Sequence, residues 1–333
     1  MTSVRTIDVH THILTDEAIG ALAGESPKVA PAIKAAAHGA SVLEIAGQIV
    51  QDPFPREIRD VDLRLADMDR HRIDVQVLAA TVFTFFYQHE PSLGLACSAL
   101  QNEHIAAVVR RHPSRFAGLA TVPLQAPDKA AAELERAMRK LGLRGAMIGS
   151  HVNGRNLDDP ALAPFWSAAA ELGAFIFIHP HAAVGAERLK SYYLRNLVGL
   201  PFETTIAGAS LVFGGVLDRH PGLKVCLSHG GGFVPYQAGR FRHGWEVRSE
   251  AKARLQRSPE ESLARLHYDT ILHSRRSLEF LVDSVGPEHV LLGSDYPFDM
   301  GSLDCVGEVE ALSIAPHARD LILGGRATRL LDV

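Results

Sequence analysis

The chain has 333 residues, of which 47% are hydrophobic and 22% charged, with a formal net charge of −4. That composition suits a globular protein with a substantial core, and it lacks the basic footprint that nucleic-acid binding usually leaves. Three cysteines, Cys97, Cys226 and Cys305, are odd in number and far apart, which argues against a disulfide framework and for a reducing compartment.

The opening MTSVRTIDVH enters a strand-like run without the charged start and apolar stretch of a signal peptide. No run of about 18 uncharged apolar residues follows that could span a bilayer, so a cytoplasmic protein is expected. Strand-like runs begin at Thr6 (TIDVH), Val75 (VQVLAAT), Arg115 (RFAGLATVPL), Leu143 (LRGAMIGS), Ala174 (AFIFIHP), Leu223 (LKVCLSHGG), Leu266 (LHYDTIL) and His289 (HVLLGSDYPF). Amphipathic segments lie between them. In PDKAAAELERAMRKLG, Ala131, Leu134, Met138 and Leu141 recur at helical spacing, and PALAPFWSAAAELG and SRRSLEFLVDSVG each close on a glycine suited to a C-cap.

Eight strands alternating with helices predict an α/β fold, a distorted (β/α)8 TIM barrel. An open doubly wound sheet would usually carry a Gly-rich first turn, whereas this first strand ends in HTH. Two segments break the alternation. Residues 17–59 read as a small insertion after the first strand, with Gly, Pro and short helical pieces, and residues 181–202 as a long loop after the fifth. Both are expected on the catalytic face. With no repeat or linker visible, residues 1–333 read as a single domain.

Seventeen histidines make about one HxH pair expected by chance, and the chain holds two, His10/His12 and His179/His181. Spacing alone decides nothing; position does. Barrel chemistry sits at the C-terminal ends of strands. His10 and His12 close the first predicted strand on one side of it, His179 closes the fifth, His229 the sixth and Asp295 the eighth. Three histidines and one carboxylate suit zinc, with manganese or iron as competitors, and leave a coordination position open. His229, outside that set, is the expected general acid/base. His151 and His181 are read as packed residues rather than pocket walls. Phe83, Phe85, Phe86 and Tyr87 fit either a pocket wall or a loop packed on the barrel, and His273 stays undecided.

The strings DVHTH (Asp8 to His12), FIHP (Phe177 to Pro180), LSHGGG (Leu227 to Gly232) and GSDYPF (Gly293 to Phe298) resemble the amidohydrolase superfamily. Within it the chain is similar to the 2-amino-3-carboxymuconate-6-semialdehyde decarboxylase branch nearly end to end, including GLATVPLQAP, IGSHVNG, LVGLPFETTIA and GGVLDRHPGLKVC. The resemblance implies a mononuclear Zn2+ site, with Mn2+ as the alternative, held by His10, His12, His179 and Asp295. It also implies that His229 works with metal-activated water. The fourth strand, GAMIGS, has no lysine to carbamylate as a bridging ligand, in keeping with one metal. The implied activity is non-oxidative decarboxylation of an aromatic or unsaturated (hydroxy/amino) carboxylic acid, without oxygen or an organic cofactor. A homodimer is implied too, in which Arg240 reaches into the neighbouring subunit's site; Arg248 resembles a second family arginine. A guanidinium is well shaped to grip a carboxylate with two bonds.

Two positions depart from the family pattern. Asp52 stands near where a carboxylate-binding arginine aligns, with Arg56 close by as a candidate substitute. Asn196 stands where a pocket tryptophan aligns, and it joins Arg240, Arg248 and Phe298 as an expected substrate-binding residue. Phe298 matches and is expected to stack on an unsaturated ring. Losing a cation and an aromatic wall points to an acid other than the branch's namesake substrate. It also keeps a second reading open, a metal-dependent hydrolase or hydratase acting on an amide, lactone or unsaturated acid. A third reading, a metal-binding barrel without chemistry, predicts a broken metal set or a lost His229, and neither is broken. The expected partner is a small carboxylic acid, with neither nucleic acid nor membrane.

Overall fold

A computed structural model describes residues 4–27, 30–36, 39–255 and 257–333. All eight expected strands form, at Ile7–Ile13, Val75–Ala80, Phe116–Gly118, Gly145–Gly149, Phe175–His179, Lys224–Leu227, Leu266–Asp269 and Val290–Leu291. They are almost entirely buried, as near-continuous apolar runs under covering helices should be. Strands one to three pair in parallel, and so do strands four to eight.

Backbone hydrogen bonds join these two arcs at both seams. On one side the Ala120 amide donates to the Gly145 carbonyl at 2.8 Å and the Met147 amide to the Ala120 carbonyl at 2.9 Å. On the other the Val9 amide donates to the Leu292 carbonyl at 2.9 Å and the His12 amide to the Tyr296 carbonyl at 2.8 Å. The ring is a distorted TIM-type barrel, with its two shortest strands, the third and eighth, at the irregular seams.

The helices obey the sequence signals. Pro127–Leu141 starts on a proline, whose missing N–H costs nothing in a first turn, and ends at Gly142 in the left-handed region (φ 76°). Arg275–Val285 begins at Ser274, whose hydroxyl accepts from the Ser277 amide at 3.4 Å.

The insertion is less helical than expected. It opens with the helix Asp16–Glu25, capped by Thr15, and continues as a three-stranded antiparallel sheet of Pro31–Ala35, Ser41–Ile45 and Gln48–Gln51. Positions 28, 29, 37 and 38 lie outside the described residues. Only the middle strand is largely buried, so the alternation that would announce a sheet is weak. Leu43 and Ile45 join Leu14, Leu22, Ile58 and Phe86 in a second, smaller core.

After the fifth strand, a π-helical turn at Arg195–Gly199 runs into the helix Leu200–Phe213. By length and composition Arg195–Phe213 could cross a membrane, with mean hydropathy 1.2, but part of it is buried inside the fold and Glu203 interrupts it. Glu203 is buried and accepts from the Val184 amide at 2.6 Å. The helix lies on the sixth strand, where a Cβ on Gly208 would sit 2.9 Å from the Leu227 side chain.

Candidate metal centre

The first strand carries two histidines into the barrel because its backbone is anchored on both sides. Its pairing with the second strand shifts register between Asp8 and Thr11, the kind of irregularity that re-aims side chains. Behind it the fully buried Arg64 donates to the His12 carbonyl at 2.5 Å and to Gln76 Oε1 at 3.0 Å, over the Tyr296 ring. Burial brings this guanidinium down to about 10, still cationic at neutral pH. Asp8 ties the strand to the loop after the eighth: it accepts from the Ser294 hydroxyl at 2.5 Å, the Ser294 amide at 3.0 Å and the His10 amide at 3.1 Å. Burial pushes Asp8 up to about 6, with those hydrogen bonds opposing.

His10, His12, His179 and Asp295 each offer one ligand atom, all within 4.8 Å of one another, and all four residues are buried. Asp295 Oδ1 lies 3.2 Å from His10 Nε2, 3.0 Å from His12 Nε2 and 4.0 Å from His179 Nε2. His10 Nε2 and His179 Nε2, which face Asp295 Oδ1, are buried without a hydrogen-bond partner. Buried polar atoms are rarely left unpaired, so these nitrogens fit a divalent cation. A His-His-His-Asp metal-binding site is therefore present.

The charges of three of the four donors agree with that set, and His10 is the exception. Burial pushes the His12 imidazole down, and burial aided by His10 and His12 pushes His179 well down, which favours the neutral form that ligates. For His10, burial opposes protonation, but Asp295 and Asp269 outweigh it and raise the imidazole to about 10. Burial alone would raise the Asp295 carboxyl, yet the histidines hold it well below the usual carboxylate range. The second ring nitrogens are oriented too. His10 Nδ1 meets Asp269 Oδ2 at 2.6 Å, and His179 Nδ1 meets its neighbour's carbonyl, that of Pro180, at 2.7 Å.

His229 sits two residues beyond its strand, with Nε2 3.5 Å from Asp295 Oδ2 and Nδ1 3.2 Å from the Ser228 hydroxyl. Both His229 (φ 54°) and Asp295 (φ 57°) occupy the left-handed backbone region, an uncommon conformation that clusters at functional sites. The glycines after His229 allow this turn to hug the helix behind it. A Cβ on Gly232 would fall 2.1 Å from the Pro201 carbonyl oxygen.

These groups open on a cavity of about 430 Å3. Asn196 and Phe298 line it, as does Asp52; the Phe298 ring lies 5.1 Å from the His12 ring and 6.2 Å from Phe83, edge-on to the latter. Arg240 does not line this chain's own cavity; it is exposed on the helix Val234–Val247. Arg248, just past that helix, pairs with Glu250 at 2.7 Å, also outside the cavity. Arg56 likewise faces away, paired with Asp60 at 3.1 Å and 76% exposed.

His181 corrects the expectation of a merely packed residue. It lines the cavity, backed by Phe85, Tyr87 and His151. Burial pushes its imidazole down to about 3, with His151 and Arg195 adding to the effect. Of the aromatic run, Phe83 reaches the cavity while Phe86 belongs to the insertion's core. His273 is exposed and away from it. The residues not foreseen are Asp8, Arg64 and Asp269 behind the ligands, and Lys190 and Arg195 on the cavity wall. Asp269 had a visible signal, a carboxylate ending the apolar run LHYD.

Known proteins share this geometry's sequence and fold. The sequence profile of the amidohydrolase family matches residues 7–333. The chain is 37% identical over 340 aligned positions to the 2-amino-3-carboxymuconate-6-semialdehyde decarboxylase of Dictyostelium discoideum, covering 98% of this chain and 91% of that one. It is 30% identical to the protein of the same name from Caenorhabditis elegans, over 82% of this chain and 81% of that one. Among solved structures, 5-carboxyvanillate decarboxylase from Sphingomonas paucimobilis superposes with a TM-score of 0.85 at 25% identity, covering 99% of this chain and 100% of that one.

Proposed function

The chain belongs to the amidohydrolase family, and from that premise we propose that His10, His12, His179 and Asp295 hold one divalent cation beside a carboxylic acid, and that His229 supplies the proton for its decarboxylation. The enzyme is a metal-dependent carboxy-lyase acting without an oxidant on an aromatic or unsaturated acid. The relatives named above are decarboxylases, which supports this over the hydrolase or hydratase reading. The single observation that carries the residue roles is the convergence of three buried imidazoles and one carboxylate within 4.8 Å, next to a fourth, cavity-lining imidazole.

A cation bound there supplies positive charge and Lewis acidity to substrate oxygens. The chain's own residues do the rest. Phe298 and Phe83 offer an apolar wall for a planar unsaturated group. His229, reaching the cavity beside Asp295, delivers a proton to the carbon that bears the departing carboxylate. The C–C bond then breaks, its electron pair returns to the unsaturated frame that the protonation had depleted, and carbon dioxide leaves. Ser228 at Nδ1 and the Asp295 carboxylate at Nε2 bracket the ring that moves this proton.

Zinc is the proposed metal, on its preference for three nitrogens and one oxygen, with manganese the competitor. A cytoplasmic location accords with three buried free cysteines, and one catalytic domain spanning 1–333 with the family match across residues 7–333. We propose a homodimer in which Arg240 serves the partner's site. Exposed Tyr192, Tyr193, Leu197, Phe202, Phe233 and Tyr236, on the fifth-strand loop and the helix region of Arg240, offer an apolar surface for it.

The test is metal analysis of the purified protein, then carbon dioxide release from hydroxybenzoates, aminobenzoates and muconate semialdehydes. One metal per chain and release from at least one class are expected. A protein that stays short of metal after metal-replete growth, or that releases carbon dioxide from no such acid while cleaving an ester or amide, overturns the reading.

A further inference from the structure

The turn that carries His229 has few side chains with which to hold itself in place. Four consecutive residues, His229, Gly230, Gly231 and Gly232, have positive φ, at 54°, 60°, 76° and 61°. Three of them are glycines, which lose more conformational freedom on folding than any other residue. Inside the turn, the Gly231 amide donates to the Ser228 carbonyl and the Gly232 amide to the His229 carbonyl, both at 3.0 Å. These bonds shape the turn without tying it to the rest of the barrel. Two side chains from neighbouring elements do that. At its start the Gly230 amide donates to Asp269 Oδ1 at 2.8 Å, and the same carboxylate turns Oδ2 to His10. At its end the Phe233 amide donates to the Thr205 hydroxyl at 2.8 Å.

Thr205 is itself fixed. It is buried on the helix Leu200–Phe213, and its hydroxyl donates to the Pro201 carbonyl at 2.8 Å. The hydroxyl proton is thereby committed, which leaves a lone pair for the Phe233 amide. The approach is close: a Cβ on Gly232 would fall 2.8 Å from Thr205 Oγ1. Asp269 serves the metal ligands and the turn together, whereas Thr205 holds the turn alone and does not line the cavity.

We infer that Thr205 is a positioning residue for proton delivery: its hydroxyl pins the far end of the glycine turn and so keeps the His229 imidazole aimed into the cavity. This rests on the reading of His229 as the proton donor. Thr205 acts through the turn, so its effect falls on the chemical step and leaves substrate and metal binding nearly untouched. Moving a reacting group by about 1 Å can cost on the order of 100-fold in rate, so a turn loosened at one of its two anchors should cost part of that.

The test compares Thr205→Val, which keeps the shape and removes the acceptor, with Thr205→Ser, which keeps the acceptor. In metal-loaded protein, amide hydrogen exchange over residues 228–234 should quicken about two- to tenfold in Thr205→Val, the scale of one lost hydrogen bond, and return toward wild type in Thr205→Ser. On an acid that the enzyme decarboxylates, Thr205→Val should lower kcat about tenfold with KM and metal content nearly unchanged, and Thr205→Ser should recover most of it. In the His229→Asn background Thr205→Val should cost nothing further, because a residue that acts through His229 has nothing left to position. An exchange rate unchanged by Thr205→Val overturns the inference. So does a lowered thermal midpoint with kcat per metal-loaded chain intact, or an equal loss of kcat with and without His229. Full turnover in His229→Asn, or carbon dioxide release from no acid, sinks the proton-donor reading instead, and the exchange measurement still decides whether Thr205 holds the turn.

Discussion

The metal cluster and the loop wall of the same cavity are held in place by different means. His10 and His12 have side chains that are 0% exposed, and His179 and Asp295 are under 10%; each sits on a barrel strand or just past one, oriented by Asp269, Asp8 or a backbone carbonyl. The wall from Lys190 to Asn196 lies on the fifth-strand loop, where Tyr192 is 88% and Tyr193 56% exposed. The first region is fixed by burial and by hydrogen bonds from within the barrel. The second is free to vary without cost to the barrel. Chemistry sits where the fold is rigid, and substrate choice where it is permissive.

The largest effect should come from His229→Asn. It keeps a polar side chain in the left-handed turn, where Asn is tolerated, and removes the proton donor. A fall in kcat of about 10²–10⁴ with metal content unchanged is expected, measured on whichever acid proves to be a substrate. Full turnover in this variant would move the proton-donor role elsewhere, with His181 next to be tested. Asp269→Asn follows. It leaves the ligands in place but weakens the acceptor that orients His10, and loss of such an orienting partner usually costs about 10–100-fold in metal affinity. Competition with a chelator would read it. An unchanged affinity would mean that the strand alone holds His10.

The rigid region was far more legible in the sequence than the permissive one, for physical reasons. Strand-borne ligands announce themselves because a histidine or aspartate closing an apolar run is out of place unless it has a job: FIFIH, VHTH and LLGSD all show it. LHYD showed it too, but Asp269 acts on His10 across the barrel and no spacing in the chain connects them. Arg64 looks like any charged residue on the helix Val61–Arg70, and only the structure reveals that it is fully buried beneath His12. The insertion's sheet was hidden by strands of four or five residues with one well-buried member. Lys190, Arg195 and His181 reach the cavity through an irregular loop and a π-turn, neither of which has a period to read.

Phe298→Ala probes the apolar wall between the two regions. Its contacts with His12 and Phe83 are the kind of aromatic pair worth about 0.5–1.5 kcal/mol. The expected result is a rise in KM of a few fold to about tenfold with kcat changed less, and Phe298→Leu intermediate. A fall confined to kcat would instead assign the ring to placing His12.

The rigid region should also carry a hidden cost in acid. His267 lies on the seventh strand, two residues before Asp269, and is buried. Its Nε2 accepts from Arg326 Nη2 at 3.1 Å and Nε at 3.3 Å, while Nδ1 meets the Val225 carbonyl at 3.3 Å. That arrangement needs a neutral ring, since a protonated Nε2 could no longer accept. Burial pushes the imidazole down to about 3, with Arg326 and His289 adding to the effect. The folded pKa lies below the unfolded value of 6.5, so the unfolded chain binds the extra proton between them. The contribution is fully present above about pH 6.5 and is lost as pH falls toward 3, at up to about 1.4 kcal/mol per pH unit for this one group. Thermal unfolding at pH 7, 5 and 4 should show wild type losing stability faster than His267→Gln, which cannot take up the proton although it starts lower at pH 7. Parallel pH profiles for the two proteins would mean that this end of the strand tolerates the charge.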